Sequence, residues 1–246
     1  MTRNLIVLTP GSSGSSVLTR LLSLNADYWV GEETTRVDFD TWENAELVRL
    51  NRELLAAIGY HRHDCVSLRR PDVDALIDLV DDPAWADRAR AFVETCRGHR
   101  PFLWKDPRLC YTIHFWAAFL PLDECDAIVI RREIVQKWTG TVLHRKSTIG
   151  FHEERRIDEA MRGSVHEFLT GAGRRAVELT FEDLLLRPRA TLDRLNDAFD
   201  LALTLDDLKA VYRGPLHRKR YSPIDTLRAL GAFAYWRFLR ERNEAA

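Results

Sequence analysis

The first residues that could do chemistry form a turn rich in glycine and serine. Pro10-Gly11-Ser12-Ser13-Gly14-Ser15-Ser16 follows a short apolar run and precedes a segment with helical spacing. A turn from a strand into a helix presents backbone N–H groups and the positive end of the helix dipole to an anion. Plain helix capping by serine is the alternative interpretation. The pattern predicts a phosphate-binding loop made of Ser12, Ser13, Gly14, Ser15 and Ser16.

The loop departs from the version that binds nucleoside triphosphates. That version reads G-x-x-x-x-G-K-[ST], in which the lysine reaches the terminal phosphates and the hydroxyl group holds magnesium. Here the glycine spacing differs and the lysine is absent. These departures disfavour a kinase-like phosphotransferase.

Lysine is scarce in this chain, so a lysine within a motif is informative. Only five of the 36 basic residues are lysines, and one of them, Lys105, directly follows the apolar run 102–104. In parallel α/β sheets, ligands lie beyond the carboxyl ends of the strands. We therefore expect Lys105 to contact a phosphate and expect Lys105→Ala to lower turnover far more than folding stability. The alternative is structural, because Asp106-Pro107 is a good helix entry and Lys105 can pair with an acid.

Two further groups of basic residues are candidates for anion binding. Arg131 follows the apolar run 127–130, and Thr139 comes eight residues later on a helical stretch. An arginine at a strand end and a hydroxyl group on the next helix can hold one phosphate together. Arg218, Lys219 and Arg220 form a short basic loop that could close over the phosphates, although such clusters are more often solvated.

A pair of acidic residues and a set of potential metal ligands complete the candidates. Glu32 and Glu33 follow a plausible short strand, 28–30, and adjacent glutamates are by default solvated surface charges. His61, His63 and Cys65 alternate as potential ligands, but no second half-site with zinc spacing accompanies them. We expect no metal site.

The elements that must position these residues alternate along the chain. Continuous apolar runs predict buried strands at 5–9, 102–104, 127–130 and 176–180. Helical spacing predicts helices at roughly 42–58, 72–97, 111–119, 133–145, 154–171, 188–199 and 224–242. Strands that alternate with helices favour an α/β fold, a three-layer sandwich with a central parallel sheet. We predict a single domain over residues 1–246.

Composition narrows the class of protein. Hydrophobic residues make up 46% of the 246 positions, which excludes a disordered chain, and the formal net charge is −1. No global field would draw such a molecule onto nucleic acid or an anionic membrane, so any anion site must be local. The four cysteines form no C-x-x-C pair, and no stretch of about 18 apolar residues occurs. We expect a cytoplasmic protein without a membrane anchor.

The loop resembles the 5′-phosphate loop of sulfotransferases that use 3′-phosphoadenosine 5′-phosphosulfate (PAPS), commonly [R/K]-S-G-[T/S]-[T/S]. Ser13-Gly14-Ser15-Ser16 matches the last four positions, and Ser12 stands where the family usually has a cation. The segments Gly31-Glu32-Glu33-Thr34 and Lys105-Asp106-Pro107 are similar to those of tyrosylprotein sulfotransferases. The resemblance implies a P-loop-like sulfotransferase fold.

The resemblance also implies a reaction and its residues. A sulfuryl group would move from PAPS, without a metal, to a hydroxyl or amine of a small-molecule, carbohydrate or lipid acceptor. Glu33 would be the catalytic base, with Glu32 and Glu43 as the other candidates. Lys105, assisted by Ser222, would neutralise the leaving 5′-phosphate.

The 3′-phosphate site is implied by a further motif. The family pattern R-x(7)-S matches Arg131 and Thr139, with threonine in place of serine. The basic loop at Arg218, Lys219 and Arg220 would supply the cation missing at Ser12.

Two alternatives to a transferase remain open. A nucleotide-binding relative without transfer activity is consistent with Ser12, and a kinase-like phosphotransferase is less favoured. Trp29, Trp42 and Tyr60 are suited either to an acceptor pocket or to the core. Nothing in the sequence sets the acceptor or the oligomeric state.

Overall fold

A computed structural model describes residues 3–36, 39–60 and 70–244 of the chain. The strands are β1 (Asn4–Leu8), β2 (Glu33–Arg36), β3 (Phe39–Asn44), β4 (Leu103–Lys105), β5 (Cys125–Arg131) and β6 (Ala176–Thr180). The helices are α1 (Ser15–Asn25), α2 (Ala45–Ala57), α3 (Val73–Asp78), α4 (Pro83–Arg97), α5 (Leu109–Trp116), α6 (Ile134–Arg145), α7 (Phe151–Gly171), α8 (Phe181–Leu186), α9 (Pro188–Phe199), α10 (Leu205–Val211) and α11 (Pro223–Glu244).

The central sheet is parallel and has the strand order β4-β1-β5-β6. Every residue of β1 is buried, as the apolar run predicts for a strand covered on both faces. Because alternate side chains point to opposite faces, Leu5 and Val7 lie in one core, and Ile6 and Leu8 lie in the other.

Helices cover both faces of this sheet. The core that contains Ile6 and Leu8 is completed by apolar side chains from α2, α4, α5 and α7. The core that contains Leu5 and Val7 is completed by side chains from α1, α8, α9 and α10. The predicted α/β fold, a three-layer sandwich around a parallel sheet, is confirmed.

Two predicted helix boundaries were wrong. The helix predicted from residue 42 begins at Ala45, because β3 pairs with β2 as an antiparallel hairpin and the Asn44 side chain caps the helix by accepting from the Leu47 N–H. The single helix predicted at 72–97 is divided. Asp82 caps a new helix that starts at Pro83, a residue suited to the first helical position.

The sequence reasoning also missed two short helices, α8 and α10. Each begins with a capping box, formed by Thr180 with Asp183 and by Thr204 with Asp207. The pattern is visible in the sequence as a threonine followed three residues later by an acid. Within the part of the chain described here, no helix has both the length and the apolar composition needed to cross a bilayer.

Candidate active site

The loop between β1 and α1 is built from residues with positive φ. Gly11, Ser12 and Gly14 have φ values of 73°, 52° and 80°. At Gly14 a Cβ atom would lie 2.2 Å from the Phe181 ring, so only glycine fits there. A hydrogen bond between the hydroxyl groups of Ser13 and Thr9 joins the loop to the residue that follows β1. Turns of this kind direct backbone N–H groups into a concave anion site.

The start of α1 is not capped by a serine. Its N-cap is Gly14, and the first turn contains no acidic residue and, among the described residues, receives no hydrogen bond from an N-cap side chain. Ser16 donates its hydroxyl proton to the Thr41 carbonyl at 3.0 Å. Plain helix capping therefore does not explain the serine-rich sequence, and the first amides of α1 remain suited to an anion.

Lys105 lies beside this loop because β4 pairs with β1. Val7 and Lys105 are partners in the register, so the lysine emerges at the edge of the sheet where the loop begins. Its side chain is buried, and Nζ donates to Glu43 Oε1 at 2.6 Å, to the Thr41 carbonyl at 2.9 Å and to Ser16 Oγ at 3.3 Å. One ammonium group thus joins the start of α1 to the β2–β3 hairpin.

Glu43 is positioned by strained backbone. Trp42 has φ +53°, an uncommon conformation for a bulky residue. The flanking residues, Thr41 and Glu43, both reach Lys105 Nζ, and the Glu43 side chain is 8% exposed. Strain of this kind is found where a site over-determines the local backbone. The sequence reasoning kept Glu43 only as an alternative base, since nothing local shows that it meets Lys105.

The residues after Lys105 are structural. Asp106 is fully buried, and its carboxylate accepts from the Arg108 guanidinium at 2.8 Å and from the Asn51 side-chain amide at 2.8 Å. Asn51 also accepts from Trp116 Nε1 at 2.7 Å. This buried network fixes the segment that carries Lys105, as hydrogen-bonded polar groups in a core do.

A second buried lysine, which sequence reasoning did not single out, lies under the loop. Lys137 on α6 is 3% exposed, and its Nζ contacts Asp158 Oδ1 at 2.8 Å, Glu154 Oε1 at 3.2 Å and the Pro10 carbonyl at 3.3 Å. Both carboxylates come from α7. The lysine therefore ties the first peptide of the loop to two helices.

The structure gives Arg131 and Thr139 separate partners. Arg131 is partly exposed and lies 3.4 Å from Glu178 on β6, while its Nε is buried without a hydrogen-bond acceptor among the described residues. Thr139 is fully buried on α6, and its hydroxyl group lies 3.3 Å from that of Thr226 on α11. A shared phosphate grip by these two residues stays a prediction.

The neighbouring residue, Arg132, is the buried arginine of this region. Its guanidinium lies over the rings of Phe181 and Tyr221, 5.3 Å and 5.1 Å from their centroids. Glu182 Oε1 is 3.6 Å from its Nε, yet both Nε and one terminal nitrogen lack a hydrogen-bond acceptor within the described residues. Burial lowers the pKa of Arg132 and raises the pKa of Glu182. Unsatisfied buried donors of this kind suit an anionic ligand.

An open pocket of about 650 Å³ lies next to Arg132. Its lining includes three arginines and three aromatic or imidazole rings: Arg213, Arg218, Arg220, Tyr212, Tyr221 and His144. Burial, followed by the nearby charges of Arg220 and Arg132, lowers the pKa of His144. Of the predicted basic loop, Arg218 and Arg220 face this pocket, whereas Lys219 pairs with Glu133 at 2.6 Å.

The remaining predicted residues have other positions. Ser222 donates its hydroxyl proton to the Asp225 carboxylate at 2.8 Å, and its oxygen caps α11 by accepting from the Asp225 backbone N–H at 3.3 Å. Glu32 is exposed, and the side chain of Glu33 lies outside the described part of the chain, as do His61, His63 and Cys65.

The three aromatic residues proposed for an acceptor pocket fall into two groups. Trp29 stacks on His99, and Tyr60 is buried among core residues. Trp42 stands between Thr41 and Glu43, the two residues that contact Lys105, and lies under the Arg20 guanidinium.

Comparison with known proteins identifies the fold. The sulfotransferase domain from the curacin biosynthetic pathway aligns with a TM-score of 0.55 at 12% identity, covering 92% of this chain and 82% of that domain. The sulfotransferase domain from the Synechococcus PCC 7002 olefin synthase aligns with a TM-score of 0.55 at 14% identity and 94% coverage of both. No protein-family model and no curated protein sequence matches the chain. The chain therefore has the fold of sulfotransferase domains, and the resemblance predicted from the motifs is confirmed at that level.

Proposed function

We propose that this protein is a sulfotransferase that moves a sulfuryl group from PAPS to a hydroxyl or amine of an acceptor. The observation that carries the proposal is the position of Lys105 in a sulfotransferase fold. Its ammonium group touches Ser16 at the first turn of α1, directly after a loop shaped for an anion. A buried lysine at this place suits the charge of a 5′-phosphate.

The residues present fit a doubly phosphorylated nucleotide. The loop amides and the uncapped start of α1 suit one phosphate. Arg132, with two buried nitrogens that find no acceptor among the described residues, and the arginines of the adjacent pocket suit the other. We assign the second phosphate to Arg132 with Arg218 and Arg220, and retain Arg131 and Thr139 as the alternative given by the motif.

PAPS, when bound, supplies the sulfuryl group, and transfer of that group releases the 5′-phosphate. Lys105 is then in place to neutralise charge on that phosphate, and the loop amides orient it, so that positioning and charge stabilisation supply most of the rate. We propose Glu43, which accepts from the lysine Nζ, as one base for the acceptor proton. Glu33 remains the base implied by the motif.

A nucleotide-binding protein without transfer activity is the second candidate. Two features favour it: Ser12 lacks the usual cation, and the charge of Lys105 is already compensated by Glu43. A bound nucleotide would have to compete with that carboxylate for the lysine.

Calorimetric titration with adenosine 3′,5′-bisphosphate, followed by radiolabelled PAPS turnover over a panel of hydroxyl and amine compounds, tests the proposal. We expect binding, turnover, and loss of affinity in Arg132→Met and Arg218→Ala. Arg162→Ala, an exposed arginine on α7, is the control and should bind normally. Binding without turnover on any acceptor supports the second candidate. Thermal protection by magnesium-ATP but not by the bisphosphate contradicts both and favours a phosphotransferase.

A further inference from the structure

Helix α11 has an apolar face that no described residue covers. Nine large hydrophobic side chains are exposed among the described residues, and five of them lie on this helix: Ile224, Leu227, Leu230, Tyr235 and Phe238, with exposed fractions of 52–66%. At 3.6 residues per turn these side chains fall on one face. The opposite face packs on α6 through Ala229, Ala232 and Phe233. The helix is therefore apolar on two sides, and the described residues cover only one of them.

The exposed face has a symmetric spacing. Ile224 and Leu227 lie seven and four residues before Gly231, and Tyr235 and Phe238 lie four and seven residues after it. A Cβ atom built at Gly231 would meet nothing within 4 Å, so the centre of the face is open for close approach of a second backbone. A second α11, running antiparallel across a two-fold axis at Gly231, would bring Ile224 onto Phe238 and Leu227 onto Tyr235.

From this geometry we propose that the protein is a homodimer in solution, joined by its two α11 helices. At about 150 Å² for each large apolar side chain, the low end of the aromatic range, the exposed fractions leave roughly 440 Å² of apolar surface on each copy. Two copies give about 880 Å², and because homodimer interfaces are about 65% apolar, the whole contact would reach about 1,350 Å², within the range of a stable interface. A symmetric pair needs one self-complementary surface, which the spacing around Gly231 provides.

A membrane surface is a poorer match for this face. Helices that lie on anionic lipid carry lysine and arginine along the polar flank. Helix α11 carries acids as well as arginines, and two of its arginines, Arg228 and Arg237, are paired with Asp225 and Glu241. The mixed charges favour a protein partner over an anionic lipid surface.

Light scattering after size-exclusion chromatography tests the proposal. We expect the full chain to have twice the 28.5 kDa mass of one copy, and Leu227→Glu to halve it without changing the circular dichroism spectrum. Ile77→Glu places the same charge on another exposed apolar residue, on α3, and should remain dimeric. A monomeric parent protein, a dimer that tolerates Leu227→Glu, or equal dissociation by Ile77→Glu overturns the proposal.

Cross-linking provides a second test that does not depend on the glutamate variant folding. Gly231→Cys, in a Cys65→Ser background, should form a disulfide-linked dimer under mild oxidation because the two-fold axis brings the two thiols together. Ile77→Cys in the same background is the control and should stay unlinked. Absence of the Gly231→Cys link, or a monomer that floats with phosphatidylserine vesicles, rejects the dimer.

Discussion

Replacing Lys105 with methionine removes one half of a buried ion pair and should lower both stability and turnover. The lysine side chain is 3% exposed and that of Glu43 is 8% exposed, with 2.6 Å between Nζ and Oε1. Removing one partner of such a pair leaves the other charge buried and uncompensated, which costs about 3–5 kcal/mol. This revises the expectation from sequence that turnover would fall far more than stability.

The double variant Lys105→Met/Glu43→Gln separates the two effects. Because neither charge is then left alone, we expect much of the lost stability to return, with a coupling of about 2–3 kcal/mol in the double-mutant cycle. Turnover should stay low, since the double variant lacks both the lysine that we propose to neutralise the leaving phosphate and one of the proposed bases. Urea unfolding of the parent, the two single variants and the double variant gives the coupling, and the PAPS assay gives the activity.

Two results would refute this reasoning. If the losses of unfolding free energy in the two single variants simply add in the double variant, the coupling energy between Lys105 and Glu43 is zero. The short distance between their charged atoms then does not stabilise the fold. If Lys105→Met retains turnover, the lysine is structural and the proposed role at the leaving phosphate is wrong. Lys209→Met, at an exposed ion pair on α10, is the matched control and should change neither quantity.

Three further predictions concern the surroundings of the site. Gly14→Ala should lower the free energy of unfolding by more than Gly59→Ala. Both glycines have positive φ, which costs an alanine about 1–2 kcal/mol, but only Gly14 faces the Phe181 ring. Equal losses in urea unfolding would show that the ring does not confine the loop. Lys137→Met should lower the free energy of unfolding by about 3–5 kcal/mol because Glu154 and Asp158 are left buried without the lysine. A loss smaller than that of an exposed ion pair would contradict the anchoring role. Burial lowers the pKa of both His114 and His144, so as the pH falls the unfolded chain takes up protons before the folded chain does. The free energy of unfolding should therefore fall as the pH drops below about 6.5. The variant His114→Gln/His144→Gln should weaken this dependence of stability on pH, and an unchanged dependence would assign it to other groups.

The sheet and the loop were predictable because their signals are local. A strand buried on both faces reads as a continuous apolar run, and residues 5–8 of β1 form such a run. The loop follows it directly, and its glycines stand where the backbone needs positive φ. Lys105 was identifiable because lysine is rare in this chain and this one follows a strand. Each inference needs only a few neighbouring residues.

The β2–β3 hairpin was missed because its sequence carries no such signal. The segment Glu33–Arg36 is polar, and Phe39–Asn44 has aromatic residues three positions apart, so neither shows the alternation of a half-buried strand. The hairpin is fixed instead by contacts that the rest of the fold supplies: Ser16 and Lys105 both bind the Thr41 carbonyl. Contacts between residues 25 and 64 positions apart cannot be predicted from the local spacing of residues.

The choice between Arg131 and Arg132 shows the same limit. Neighbouring residues at a strand end point in different directions, so a motif that requires one arginine cannot say which of two becomes buried. The structure places Arg132 between two rings that come from α8 and from the segment before α11. Lys137 is similar, because its acids lie on α7, and helical spacing alone does not show which face of α6 meets that helix.

Charge pairing explains why composition could not locate the site. Lys105 lies on Glu43, Lys137 on Asp158 and Arg132 beside Glu182, so each buried cation near the loop brings its own carboxylate. Burying an unpaired charge is costly, so buried cations need carboxylate partners. These acids also cancel the charge of the cations in any sum over the sequence. The net charge therefore gives no sign of the phosphate site that we propose, where a ligand would have to compete with the carboxylates for the same nitrogens.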